Sequence, residues 1–159
     1  MSITSDLPKS GRKPLIELDE ITIKAIKECE GDVDTTAALK IWLELRDLKL
    51  CDNNHGWIHG DLLRPNLLVF NGKLSAIIDF GRASIGDPAL DIIPAWAVLT
   101  SKTRALFRSL LGVDDATWLR AKANALYVAT TILPFYKKSN PEFAQQAKST
   151  IINILNCEI

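Results

Sequence analysis

The hydrophobic positions of this chain follow two periods, and the switch between them marks its centre. Over residues 18–29, Leu18, Ile21, Ala25 and Ile26 recur at helical spacing until Gly31-Asp32 breaks the pattern. Asp34 or Thr35 then opens a second helix through about Leu48, with Ala38, Leu39, Trp42 and Leu45 on one stripe. Leu67–Phe70 and residues 73–78 are instead short apolar, partly β-branched runs flanking Asn71-Gly72. That dipeptide is a strong hairpin signal, because a type I′ turn needs positive φ at both central residues. Helical spacing then returns. Residues 88–99 predict a helical segment kinked at Pro94, and residues 102–111 a short helix stopped by Gly112. Asp114 and Asp115 open a long helix carrying Trp118, Leu126, Ala129 and Leu133, with Pro134 and Lys137-Lys138 at its end. Asn140 caps a last helix with Pro141 at its first position, and Phe143, Ala147, Ile151 and Leu155 form its apolar face. Trp42 belongs to the core by its register. Trp96 reads as core or as a pocket wall.

The hairpin brings the candidate chemistry. Pairing Phe70 with Lys73 places Asn66 opposite Ile77 and makes Asp79 the diagonal neighbour of Asn66 on the same face. A diagonal of about 7–8 Å lets a carboxylate and an amide oxygen meet one small hard cation. Mg²⁺, which takes a few such oxygens together with water and phosphate, suits the pair. Asp61 lies in the loop before the first strand. An aspartate, an asparagine five residues later and an Asp-Phe-Gly thirteen residues after that are the order in which kinases present a base and two metal ligands. A lone aspartate beside a turn is more often a cap, and a lone Asp-Phe-Gly is a weak signal. Their conjunction around one hairpin carries the reading. His59 is expected to brace the loop by hydrogen bonds or to pack as a structural histidine. Asp87 before Pro88 reads as an N-cap, and Asp91 as a support that holds the catalytic loop in place.

Composition narrows the remaining classes. With 159 residues, 47% of them hydrophobic and 24% charged, the chain is expected to form a single soluble domain with its own core. The formal net charge is zero and the basic residues are dispersed, which argues against a nucleic-acid partner. Cys29, Cys51 and Cys157 have no metal or redox spacing, so reduced thiols in a cytoplasm are expected. Residues 1–13 are a polar segment without the apolar core of a signal peptide, and no apolar run reaches the length of a membrane span.

The motif region, residues 57–91, resembles a known family. His59-Gly60-Asp61-Leu62 with Asn66, Ile78-Asp79-Phe80-Gly81, and Gly86-Asp87-Pro88-Ala89 with Asp91 and Trp96 are similar to the aminoglycoside phosphotransferases, whose fold is kinase-like. Gly60, where protein kinases have arginine, points to small-molecule kinases. The likeness continues through Gly112 to Trp118 and Asn140-Pro141, over nearly the whole chain. Arg64-Pro65 departs from the proline-then-glycine of many members. The resemblance implies an α+β, mainly α fold: a protein-kinase-like C-lobe with a small antiparallel β-hairpin carrying the catalytic loop and Asp-Phe-Gly. It implies Asp61 as catalytic base, Asn66 and Asp79 as Mg²⁺ ligands, His59 and Asp91 as supports, ATP as donor and a small-molecule hydroxyl as acceptor.

Such enzymes also have an N-terminal nucleotide lobe, with a phosphate-covering loop and a lysine paired to a helical glutamate. The glycines here form no Gly-x-Gly-x-x-Gly, and the lysines before Trp57 lie in polar or helix-like sequence. That lobe is therefore expected to be absent, leaving a truncated or split C-lobe that is inactive alone, because transfer depends on positioning and on neutralising phosphate charge. Its uncovered apolar surface would favour a companion N-lobe chain or a homo-oligomer. The competing function is a non-catalytic remnant or binding module that keeps the fold. The acceptor stays open among aminoglycosides, macrolides, choline and sugars.

Overall fold

A computed structural model describes residues 13–50 and 56–157, so Cys51 lies outside the described residues. Helix α1 (Asp19–Glu28) follows a 3₁₀ turn at Leu15–Leu18. Its inner face runs through Thr22, Ala25 and Ile26, while Ile21 is 50% exposed. Thr22 tolerates burial because its hydroxyl donates to the Leu18 carbonyl at 2.6 Å. Helix α2 (Thr35–Leu45) is capped by Asp34, whose carboxylate accepts the Ala37 N–H, and it ends at Leu45, short of the expected Leu48. Trp42 is fully buried, and its indole N–H donates to Asp19 at 2.8 Å.

The segment expected as one kinked helix is two pieces, a 3₁₀ stretch at Pro88–Ile92 and the short α3 (Pro94–Ala97). Pro94 has no N–H with which to continue the ladder. Trp96 is fully buried beside Trp118, 4.9 Å between ring centroids, so it belongs to the core rather than to a pocket wall. Helix α4 (Ser101–Leu111) has a Thr100/Thr103 capping box and stops at Gly112. Helix α5 (Asp115–Tyr136) is the central element, packing on α1, α2, the 3₁₀ stretch and α6 (Pro141–Leu155).

α5 ends at Tyr136, directly before the Lys137-Lys138 expected at its end, with Pro134 inside its last turn. The proline leaves the carbonyl four residues back, that of Thr130, without its helical donor. The buried Cys29 thiol from α1's C-terminus donates to that oxygen, Sγ to O 3.5 Å. Burial pushes the Cys29 thiol up to about 11, keeping its proton in place for this bond. A cysteine read from spacing as merely unpaired thus supplies the partner that lets the helix run on to Tyr136.

Two small antiparallel sheets sit on this helical body. Strands β2 (Leu67–Phe70) and β3 (Lys73–Ile77) form the expected hairpin, with Asn71 at φ 49° and Gly72 at φ 73° in the turn. The register departs from the expectation after two pairs. Phe70 faces Lys73 and Val69 faces Leu74, but Leu68 then faces Ala76 and Leu67 faces Ile77, leaving Ser75 as a bulge. One extra residue reverses the alternation beyond it, so Asn66 meets Ile78 and not Ile77, accepting the Ile78 N–H at 3.0 Å. The second sheet pairs β1 (Gly56–Ile58) with β4 (Ser84–Gly86). At three residues each, those strands are too short for periodicity to announce.

Candidate active site

The catalytic-loop sequence lies between β1 and the 3₁₀ turn Arg64–Asn66. Its entry is fixed by one carboxylate. Asp91, on the 3₁₀ stretch after Pro88, accepts the His59 N–H at 2.7 Å on one oxygen and the Gly60 N–H at 2.9 Å on the other. Bonds to an ionised acceptor are the stronger kind, and two on one fork also set direction. His59 is buried. Its Nε2 lies 2.9 Å from the Ile78 carbonyl and its Nδ1 accepts the Asp61 N–H at 3.3 Å, so the proton belongs on Nε2. Phe80 packs on the ring with centroids 4.6 Å apart. The histidine therefore joins the loop to the end of β3.

Asp61 is held by its backbone at both ends. Its carbonyl accepts the Leu63 N–H at 2.9 Å and the Asn66 side-chain amide at 2.8 Å. Its own carboxylate accepts no hydrogen bond from a described residue, and it lines a cleft of about 610 Å³ between the loop, α5 and α6. With the backbone tied and the side chain untied, that carboxylate is available to something in the cleft.

Asn66 commits Nδ2 to Asp61, which leaves Oδ1 as its unused acceptor among the described residues. Asp79 is exposed and takes a left-handed backbone, φ 62° and ψ 64°, its Oδ1 accepting a long 3.4 Å bond from Gly81. That backbone, rather than strand alternation, sets its direction. Two hard oxygen donors, each weakly used by the protein, fit the preference of Mg²⁺ for a few carboxylate or carbonyl ligands. Among the described residues no three His, Cys, Asp or Glu side chains cluster as a metal centre. Neither Asn66 nor Asp79 lines the 610 Å³ cleft. Asn66 joins the group by hydrogen bonds to Asp61 and Ile78, and Asp79 by following Ile78 in the chain.

Two contacts escaped the sequence reading. Asp87 caps the 3₁₀ stretch by accepting the Ala89 N–H, as its place before Pro88 predicts, but it also forms a buried two-pronged ion pair with Arg120 of α5, at 2.6 and 3.2 Å. Arg64 donates from Nε to the Ala97 carbonyl at 2.8 Å, binding the loop to the C-terminal end of α3. Nothing local to Arg64 or Arg120 announces a partner 33 residues away.

Gly60 is the loop's tightest point. At φ +78° an added Cβ would be strained, and it would lie 3.0 Å from the Arg82 carbonyl. Gly60→Ala is expected to cost about 1–3 kcal/mol, read as a lower urea midpoint at unchanged m-value.

The model of the phosphotransferase enzyme family (APH) matches residues 4–126. This chain belongs to that family. An aminoglycoside 3'-phosphotransferase of Niallia circulans is 41% identical over 61 residues, 35% of this phosphotransferase-family chain and 23% of that relative. Two crystal structures of thermostable mutants of aminoglycoside phosphotransferase APH(4)-Ia superpose with a TM-score of 0.50 at 21% and 22% identity. One is the apo form and the other a ternary complex with AMP-PNP and hygromycin B. Each match covers 84% of this chain and 50% of the other, so the chain spans about half the length of those structures. The fold is thereby a mostly helical kinase-like C-lobe with small antiparallel sheets.

Proposed function

We propose that this chain carries the catalytic loop of a phosphotransferase that moves the γ-phosphate of ATP to a hydroxyl of a small molecule. The observation that carries the reading is Asp61 at the cleft, its carboxylate without a hydrogen-bond partner among the described residues while its backbone is tied at both ends. In this reading the acceptor hydroxyl enters the cleft and Asp61 orients it, taking its proton as the oxygen–phosphorus bond forms and ADP leaves. His59 and Asp91 position that carboxylate through the loop backbone. Asn66 and Asp79 are the residues that would hold Mg²⁺, whose charge offsets that of the phosphate oxygens.

The nucleotide needs more than these residues. No glycine-rich phosphate loop occurs in the sequence, and we propose that further elements, on a longer form of this chain or on a companion, complete the donor site. Support comes from the hairpin region, where Trp57, Val69, Phe70 and Phe80 are 60–71% exposed. Several large apolar side chains exposed in one region point to an interaction site. The 159 residues alone are therefore expected to self-associate, and a strictly monomeric mass by light scattering at high concentration would count against a covered hairpin. No described helix is long and apolar enough to cross a membrane. The buried free thiol of Cys29 suits a reducing compartment, and we place the protein in the cytoplasm.

Calorimetric titration of Mg-ATP into the purified chain, with Asp79→Asn as control, tests the reading. Weak binding that disappears in the variant is expected. Tight binding with rapid turnover would show that no further nucleotide-binding elements are needed. A non-catalytic remnant predicts no Asp79-dependent rise in melting temperature, where a nucleotide at 100 times its Kd would add about 2.7 kcal/mol.

A further inference from the structure

We infer that the acceptor is an uncharged, largely apolar hydroxyl compound and not a polycation; this rests on the proposal that Asp61 meets the acceptor in the cleft. At about 610 Å³ the cleft is within the range of pockets that enclose a drug-sized molecule. Its walls are mainly aliphatic and aromatic, including Leu18, Leu63, Leu90, Val128, Ile132 and Phe143. Helix α5 adds a stripe of neutral polar groups, Asn124, Tyr127 and Thr131. Among the described lining residues the charged ones are Lys13, Asp61, Arg82 and Asp87. The Asp87 charge is already offset by Arg120 at 2.6 Å. One untied carboxylate and two cations remain.

Among the described residues, a molecule with several ammonium groups would find a single counter-charge there. Its other charges would be stranded against hydrocarbon or repelled by Arg82 and Lys13, and an unpaired buried charge is costly. A neutral molecule meets neither obstacle. A separate small recess, with a volume of about 20 Å³, lies on the other side of Leu63, Val128, Ile132 and Phe143, which line both.

The test titrates the 159-residue chain with erythronolide B, a neutral polyhydroxylated macrolactone, and with kanamycin, a polycation, at low and high salt. The macrolactone is expected to bind at least roughly tenfold more tightly, with an affinity that salt leaves unchanged. Val128→Trp should weaken it by about tenfold by filling the cleft. Thr131→Glu should narrow the gap by favouring kanamycin. Tighter, salt-sensitive kanamycin binding to the unmodified chain overturns the inference, as does failure of the macrolactone to bind or its indifference to both substitutions. Phosphate transfer is read separately, with the nucleotide-binding elements present. Macrolactone binding without Asp61-dependent transfer to any compound would sink the phosphotransferase reading and leave the cleft's preference standing. Asp61-dependent transfer to kanamycin would do the reverse.

Discussion

Asp61→Asn, assayed with the nucleotide-binding elements present, is expected to lower kcat by about 10²–10⁴-fold, the usual contribution of a positioned general base. The acceptor KM should stay within about twofold, because the amide keeps the shape of the carboxylate and the acceptor inferred above carries no charge that would miss it. The structure makes this a clean substitution. Asp61 is fixed through its backbone N–H and carbonyl, and neither contact involves the carboxylate. Urea unfolding of the variant should therefore match the parent to within about 0.5 kcal/mol. Activity retained within tenfold would remove Asp61 from the chemistry. A parallel fall in stability would make its role architectural.

The second large effect concerns stability. Asp87 and Arg120 are almost wholly removed from solvent, with side-chain exposures of 6% and 2%, and they meet through two hydrogen bonds. Arg120→Met leaves the aspartate charge buried without its partner, and a loss of about 3–5 kcal/mol is expected. Combining it with Asp87→Asn should recover a large part of that loss, since no bare charge then remains. Denaturant titration of the two single variants and the double variant gives the coupling directly. Additive costs would show that the pair acts as two separate contacts. Aspartates at helix starts are usually exposed caps worth about 1 kcal/mol, and a loss of that size would reduce Asp87 to the cap its sequence context suggests.

The legible parts of the chain are those governed by local chemistry. Asn71-Gly72 specified the hairpin because its turn needs two positive φ values, and both residues have them. Asp34, Asp114 and Asn140 each accept the N–H three residues ahead, as N-caps do. Gly112 ends α4 in the left-handed conformation at φ 61°. What was hidden depends on distant partners or on an offset of one residue. The Ser75 bulge shifted the pairing expected for Asn66, and no local pattern marks a bulge in a run of this kind. The end of α5 near Pro134 and Lys137 was legible, but the donor to the Thr130 carbonyl that Pro134 leaves open, Cys29, was not, because it lies 101 residues before Thr130. Thr22 replaced Ile21 on the inner face of α1 because its hydroxyl finds a carbonyl within its own helix. The order Asp61, Asn66, Asp79 was visible; the left-handed backbone that aims Asp79 was not.

Asp91 grips the loop from a segment whose leading residue, Asp87, is anchored in α5. The placement of the Asp61 backbone is thus inherited from the helical body, by way of the buried Asp87–Arg120 pair. A change at Arg120 would therefore be felt at a loop that its side chain does not touch.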